Sequence, residues 1–321
     1  MDASSKLAQI IFVVGPTATG KSDLAVSLAE HYRAEVINAD SIQFYNQIEV
    51  GTAKPGPELT SRATHHLLSF VDPPQTLSAG DFTRAAEKVL AERTAVGVRR
   101  FIIVGGSGFY LQALEKGMIL APNITEKIRE QVKLKFETEG SEKLWIEVEK
   151  RDPEYALKVS KQDSYRVQRA LEILLSGPTS ISEAKRDFAS QESSFRKNYD
   201  IQKIALDFDR DFLRNRILRR TEQMLANQWI EEVAHLRTLG FTDWPPLKSV
   251  GYFEIGEFLD SRIKRSELAD KIVTSTQQLA KKQRTWFKRD QENHWILNAE
   301  SNPKLVFDEA KKWLGRATEL D

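Results

Sequence analysis

Residues 15–22 read Gly15-Pro16-Thr17-Ala18-Thr19-Gly20-Lys21-Ser22 and fill the phosphate-loop pattern G-x-x-x-x-G-K-[ST] at every required position. The spacing serves a physical need. Two glycines let the backbone curl until successive N–H groups point at phosphate oxygens, and the next helix offers its positive N-terminal end to the same anion. Lys21 supplies a point charge for an outer phosphate, and the Ser22 hydroxyl suits the coordination shell of a magnesium ion. The flanks agree. Ile10 to Val14 is a five-residue apolar run, the length of a buried parallel strand. After the loop, Leu24, Ala25, Leu28 and Ala29 recur at helical spacing between Ser22 and Tyr32. With strand, loop and helix in register, the stretch reads as a binding loop for a nucleotide or another phosphorylated ligand rather than a chance glycine turn.

Downstream, strand, loop and helix repeat. Glu35 to Ala39 reads as a second strand that ends in Asp40-Ser41-Ile42-Gln43, followed by a glycine- and proline-bearing loop over 51–57. His66 to Val71 reads as a further short strand. Ser78 is placed to cap a helix through Val96, with Phe82, Ala85, Ala86, Val89 and Leu90 at helical spacing. Phe101 to Val104 then runs into Gly105-Gly106-Ser107-Gly108, which opens a helix through Leu114. The fold class implied is α/β, a P-loop NTPase-like parallel sheet flanked by helices. Ligands of such sheets sit at the carboxyl ends of the strands, so Asp40 and Ser107 should meet whatever the loop holds. From about Pro122 to Lys197 charged helical patterns dominate, which reads as a mostly helical insertion. Ile204 to Phe208 returns to the sheet, Asp211 to Leu239 reads as one long helix, and a final helical region carries 279–289. The expected layout is a core over 1–121, the insertion over 122–200, and a return to the core with C-terminal helices over 201–321.

Composition limits the function classes. Among 321 residues, 40% hydrophobic and 29% charged is the balance of an ordinary globular chain, not of a disordered or fibrous one. No apolar run approaches the ~18 residues of a membrane span, and the N-terminal run is short for a signal-peptide core. Zero cysteines exclude disulfides and thiolate metal sites, and five scattered histidines form no ligand cluster. A reducing cytoplasm is the expected location. With a net charge of +1, any nucleic-acid binding has to come from local patches.

Three groups of residues could carry chemistry. Asp40, at a strand end facing the phosphate loop, can ligate magnesium, accept a proton from a nucleophile or cap a turn; its placement favours the proton acceptor. Arg210, Arg214, Arg216, Arg219 and Arg220 fall within eleven residues at the start of the long helix. Arg216 and Arg220 share a face, and spacing alone does not choose between them. Beside Asp207, Asp209 and Asp211, the cluster can equally be a solvated, paired helix start. Lys281, Lys282, Arg284, Lys288 and Arg289 interleave with Trp286 and Phe287, which suits an RNA-facing helix or an ordinary amphipathic one.

Together, GPTATGKS at 15–22, NADSIQFY at 38–45, GTAKP at 51–55, VGGSGFY at 104–110, RALEI at 169–173, RNRILRRTEQML at 214–225, VGY at 250–252 and QLAKKQRTWFKR at 278–289 resemble the tRNA dimethylallyltransferases (tRNA isopentenyltransferases). The pieces follow that family's order over nearly the whole chain. The resemblance implies transfer of a dimethylallyl group from its diphosphate to N6 of adenosine 37, beside the anticodon of tRNA. It implies tRNA and dimethylallyl diphosphate as partners and magnesium as cofactor; no membrane partner is expected, and the expected form is a monomer. The phosphate loop then holds the leaving group, whose growing charge its amides, Lys21 and magnesium on Ser22 would stabilise.

By motif position the resemblance makes Asp40 the acceptor of the N6 proton and Arg220 the arginine on the diphosphate. Ser107, where the family usually has threonine, would contact the reacting groups. Contacts to tRNA would come from Asp40, Ser41, Ile42, Gln43, Ser107, Arg129 and the segment Tyr165, Arg166, Val167, Gln168 and Arg169, with Lys281, Lys282 and Arg284 in the basic patch. The base must leave the anticodon-loop stack, by a channel between the sheet domain and the insertion. Tyr165 stands where many members have glutamine, and Lys248 and Gln277 where arginine is common; these departures bear on tRNA contacts and not on the chemical centre. Three other readings compete. An adenylate isopentenyltransferase would prenylate free AMP, ADP or ATP, but the basic-aromatic helix and the insertion favour tRNA. A small-molecule P-loop kinase leaves GTAKP idle, and an RNA-binding module leaves Asp40 without a task.

Overall fold

The computed structural model describes residues 7–118, 124–177, 180–189, 193–297 and 302–318. The expected boundary at 121/122, with Pro122, lies outside them. The chain divides into two compact units, one of residues 1–116 with 194–321 and the other of residues 117–193. The first unit runs β1 (Ala8–Val14), α1 (Lys21–Tyr32), β2 (Glu35–Asn38), α2 (Pro57–Thr60), β3 (His65–His66), α3 (Ala79–Ala95), β4 (Arg100–Val104) and α4 (Gly108–Lys116). The second holds α5 (Glu126–Arg151), α6 (Pro153–Ala156), α7 (Ser164–Ser176) and α8 (Ile181–Ala189). The first unit resumes with α9 (Ser194–Asn198), β5 (Tyr199–Asp207), α10 (Arg210–Ala226), α11 (Trp229–Thr238), α12 (Tyr252–Leu259), α13 (Arg265–Phe287), β6 (His294–Leu297) and α14 (Pro303–Thr318).

Among the described residues the strands form one six-stranded sheet in the order β3-β2-β4-β1-β5-β6, with every pairing parallel. The period-2 alternation of strands decides the two faces. Ile10, Phe12 and Val14 of β1 join Phe101 and Ile103 of β4 in one core, against Phe82, Ala86 and Leu90 of α3. Ile11 and Val13 point the other way, with Ile102 and Val104, onto Leu24, Ala25 and Leu28 of α1 and Ala310 and Leu314 of α14. Burial on both faces explains why β1 and β4 are almost continuously apolar in sequence.

Three of the expected elements take a different form, and β6 adds a strand where only helices were expected. The strand expected over His66 to Val71 shrinks to two residues, because Leu67 (φ 60°) and Ser69 (φ 46°) take left-handed backbone that breaks a ladder. The single helix expected over Asp211 to Leu239 is two, broken where Gln228 turns left-handed (φ 67°) and becomes the N-cap of α11. β5 begins at Tyr199, five residues before the expected Ile204. Its first half looked non-strand because it carries Gln202 and Lys203, both buried. Lys203 is tolerated there because its ammonium lies 2.6 Å from Glu115 Oε1 and 2.7 Å from Asp290 Oδ2.

The second unit is a helical module with its own core, in which Val132, Leu144 and Val148 of α5 meet Val167, Leu171 and Leu174 of α7. Asp152 ties its end together: Oδ1 accepts from Tyr155 N–H at 2.9 Å, and Oδ2 from Ser182 N–H at 2.8 Å.

In the first unit the loop over 51–55 is held by a ring. Trp229 at the start of α11 is 2% exposed and lies against two glycines. A Cβ on Gly51 would fall 2.1 Å from its Nε1, and one on Gly251 2.0 Å from its Cη2. Gly251 also has φ 88°, so it carries both constraints. We expect Gly51→Ala to destabilise by about 1–3 kcal/mol through overpacking. Gly251→Ala should cost about 1–2 kcal/mol more, from backbone strain. In a Trp229→Phe background the cost of Gly51→Ala should fall by about 1 kcal/mol, because the clashing ring atoms are gone. Denaturant titration of the cycle checks this; equal costs in both backgrounds would show that the indole is not what excludes a side chain at position 51.

Candidate active site

The phosphate loop leaves β1 and turns through Ala18 (φ 64°) and Gly20 (φ 82°) into α1. Thr19 Oγ1 donates to Pro16 O at 2.8 Å, which braces the turn. Lys21 Nζ folds back and donates to the same carbonyl at 2.6 Å. The loop forms one wall of a chamber of about 490 Å³ whose other walls bring in Lys54, Arg216, Arg219 and Arg220. Arg216 is the brace of the pair that spacing left open: its Nε donates to Ala18 O at 2.9 Å, and its guanidinium lies over the Phe208 ring at 5.4 Å. Arg220, one turn on, faces the chamber beside Lys21 and Asp40. Lys54 of the GTAKP stretch donates to Tyr45 O at 2.6 Å and to Glu49 Oε1 at 2.7 Å. Such a concentration of cations around loop amides is a receptor for a multiply charged anion.

A second chamber of about 500 Å³ adjoins the first, with Ile42, Tyr110, Ile217, Met224 and Trp229 in its walls. Thr17, Ala18, Asp40, Thr52 and Arg220 line both. Asp40 thus stands at the junction of a cationic chamber and an apolar one. It follows β2, where Asn38 Oδ1 accepts Asp40 N–H at 3.1 Å and Asp40 Oδ1 accepts Ile42 N–H at 3.2 Å. Burial pushes the Asp40 carboxyl above its ordinary value, against the pull of the Ile42 N–H, Lys21 and Arg220. A carboxylate raised in this way is a better proton acceptor than an exposed one. Burial lowers the Lys21 ammonium to about 8, with Asp40 opposing and Arg220 assisting the shift. Ser107, after β4, is brought to the same place: its Oγ accepts Ser41 N–H at 2.9 Å and donates to Ser41 Oγ at 3.0 Å.

The structure redistributes the remaining expected site residues. Gln43 is 8% exposed and spends its amide N–H groups on Thr52 O and Ala53 O, at 3.0 and 3.1 Å, so it holds the GTAKP loop. Val167 is 1% exposed inside the core of the helical unit, which removes it as a tRNA contact. Helical periodicity explains why its neighbours remain: Tyr165 is 77% exposed, and Arg166 is outward on the same helix. Arg129, Arg166 and Arg169 pair with Glu126, Asp163 and Glu172 at 3.1, 3.3 and 2.8 Å. Pairs this exposed are weak and yield to a phosphate.

Arg284 does not belong to an exposed basic patch. Its Nε and Nη2 grip Asp207 Oδ2 and Oδ1 at 2.6 and 2.7 Å, and Nη2 also donates to Phe208 O at 3.2 Å. Phe287 is likewise buried, whereas Lys281 and Lys282 are exposed. The helix is therefore amphipathic, with Lys281 and Lys282 on its outer face. Lys54 and Gln283 are among the chamber residues that motif reading did not single out. Both lie within quoted motifs, but pattern alone does not say which motif members face inward. Among the described residues no group of three or more His, Asp or Glu side chains could hold a metal. Ser22, in the first turn of α1, lines the chamber, and its hydroxyl is of the kind a magnesium ion takes into its coordination shell.

Comparison with known proteins follows the same lines. The IPP transferase family profile matches residues 43–290. The chain is 42% identical over 291 residues to a tRNA dimethylallyltransferase of Bdellovibrio bacteriovorus, covering 90% of this chain and 93% of that one. It is 35% identical to the tRNA dimethylallyltransferase of Geobacter sulfurreducens, covering 90% and 91%. Among solved structures it is similar to the full-length tRNA isopentenylpyrophosphate transferase of Bacillus halodurans, with a TM-score of 0.72, 28% identity and 97% of each chain covered. A eukaryotic dimethylallyltransferase acting on tRNA shares the fold, with a TM-score of 0.77 at 23% identity over 91% of this chain and 74% of that one.

Two measurements probe this geometry. An anion beside Lys21 favours its ammonium and raises its pKa, so near pH 8, where the free group is about half protonated, binding should take up protons. We expect calorimetry of inorganic diphosphate binding, in buffers of different ionisation enthalpy, to show more proton uptake for the unmodified protein than for Lys21→Met. Affinity should weaken as pH rises through that value; equal uptake by the variant would remove Lys21 from the anion site. In the second, Arg284→Ala leaves Asp207 buried without its partner and should cost about 3–5 kcal/mol in denaturant titration. Lys281→Ala should change stability by less than about 0.5 kcal/mol. A reversed ranking would return Arg284 to the exposed patch.

Proposed function

Since the chain belongs to the IPP transferase family and is a tRNA dimethylallyltransferase, we propose that the two chambers hold its two reactants, with dimethylallyl diphosphate anchored on the phosphate loop and N6 of adenosine 37 brought to Asp40. The observation that carries this reading is the position of Asp40 and Arg220 on the wall shared by the cationic and the apolar chambers. A group-transfer enzyme with a charged leaving group and an apolar cargo needs that junction.

The chemistry follows from the charges. The lone pair of N6 attacks the allylic carbon, and the bond from that carbon to the diphosphate oxygen breaks with its electron pair going to diphosphate. The N6 proton passes to Asp40. Lys21, Arg220 and the loop N–H groups meet the charge that grows on the departing oxygens, which lowers the barrier because they are in place beforehand. Arg216 acts through Ala18 and keeps the loop curled. Magnesium carried by the diphosphate and touching Ser22 would neutralise further leaving-group charge. The acceptor base reaches the junction unstacked, which costs little for a nucleotide in a loop. Lys281 and Lys282, with the outward arginines of the helical unit, are the candidates for phosphate contacts.

One experiment tests the reaction and the base together. With labelled dimethylallyl diphosphate, label should pass to bulk tRNA and not to AMP. Asp40→Asn should retain tRNA affinity while turnover falls by about two to four orders of magnitude. Label on AMP with tRNA inert would sink the acceptor assignment, and an intact single-turnover rate with lost tRNA binding would make Asp40 a binding residue only.

A further inference from the structure

The side-chain amide of Gln283 joins the two loops that meet at the reaction centre. Its Oε1 accepts Thr17 N–H at 2.8 Å, and its Nε2 donates to Gly106 O at 3.1 Å. The approach to the second loop is close enough that a Cβ on Gly106 would lie 2.3 Å from Nε2. On one side, Thr17 is the third residue of the phosphate loop. On the other, Gly106 precedes Ser107, whose hydroxyl accepts Ser41 N–H next to Asp40. Gln283 lines the apolar chamber with Asp40 and Arg220. Its own position is pinned, because the next residue on the helix, Arg284, is locked to Asp207 at the end of β5. A primary amide can accept from one loop and donate to the other at once while carrying no charge. Beside a phosphate loop, that neutrality matters, because the strut adds no charge to compete with an anion.

We propose that Gln283 is a positioning residue for the transfer, a neutral strut that sets the separation between the phosphate loop and the Gly105–Gly108 loop and so the distance from allylic carbon to acceptor nitrogen. This rests on the two-chamber reading given above. Gln283 makes and breaks no bond and moves no proton. Grip on the diphosphate belongs to Lys21, Arg220 and the loop amides, and grip on the acceptor belongs to other groups. Loss of the strut therefore acts on the geometry of attack, where a displacement of about 1 Å can cost ~100-fold in rate.

The test compares the unmodified protein with Gln283→Leu and Gln283→Glu, using dimethylallyl diphosphate and bulk tRNA. For Gln283→Leu we expect kcat to fall about 10- to 100-fold while both KM values stay within about threefold. Gln283→Glu supplies the discriminating readout. Its ionised carboxylate can accept from Thr17 N–H but cannot donate to Gly106 O, whereas the protonated form does both. The kcat of Gln283→Glu relative to the unmodified protein should thus rise as pH falls from about 8 to about 6, toward the carboxyl range. The same ratio for Gln283→Leu should stay flat. A residue that merely packs would give neither the split between kcat and KM nor the pH-dependent rescue. A rise in either KM with kcat intact, or identical pH profiles for the two variants, overturns the proposal. If the unmodified protein does not label tRNA, the transfer reading itself fails; if it does and Gln283→Leu is equally fast, only the strut falls.

Discussion

The register of three parallel strands is the constraint on which the site depends. Val104 of β4 pairs with Val13 of β1 on one side and with Asn38 of β2 on the other, so these three residues lie in one row. Each is followed by a chemically committed segment: the phosphate loop after β1, Asp40 after β2, and Gly105–Gly108 after β4. Neighbouring strands stand about 5 Å apart, so three loops leaving one row are within side-chain reach of one another before any of them is shaped in detail. Both faces of β1 and β4 are packed, so a one-residue slip would exchange the side chains that face α3 with those that face α1.

Charge then decides how the row is used. Lys21 and Arg220 share one carboxylate, Asp40, in surroundings that have pulled all three away from water. Burial disfavours the charged forms of all three, and an anion placed beside Lys21 and Arg220 would favour the charged forms of both cations. Elsewhere the molecule balances its buried charges internally, as Lys203 with Glu115 and Asp290 and as Arg284 with Asp207. The contrast separates structural ion pairs from the functional chamber, where cations are in excess.

Helix α13 serves both kinds of site. Phe287 enters the core, Arg284 locks onto the end of β5, and Gln283 reaches the two loops. Lys281 and Lys282 are left outside. A run of basic and aromatic residues that looks uniform along the chain is divided by the 100° step of the helix into packing, strut and surface. That division is why Arg284 could not be told from its lysine neighbours by composition, and why Val167 could not be told from Arg166.

Local chemistry made much of this protein legible in its sequence. The glycine spacing of residues 15–22, the apolar runs of β1 and β4, and the Ser78 cap of α3 depend on neighbours within a few residues, so they can be read from a string. Family order added the reaction class. What the string could not carry was partnership across long separations. Arg216 braces Ala18 from 198 residues away and Gln283 holds Thr17 from 266 away, and nothing in the spacing of either segment records the other. The same holds for β5, whose Gln202 and Lys203 are polar in sequence and buried in the fold because Glu115 and Asp290 meet the ammonium there. Periodicity reports which residues lie on one face of one element. Only tertiary packing decides what that face meets, since the free energy of a buried polar group is set by its partners and not by its position in the chain.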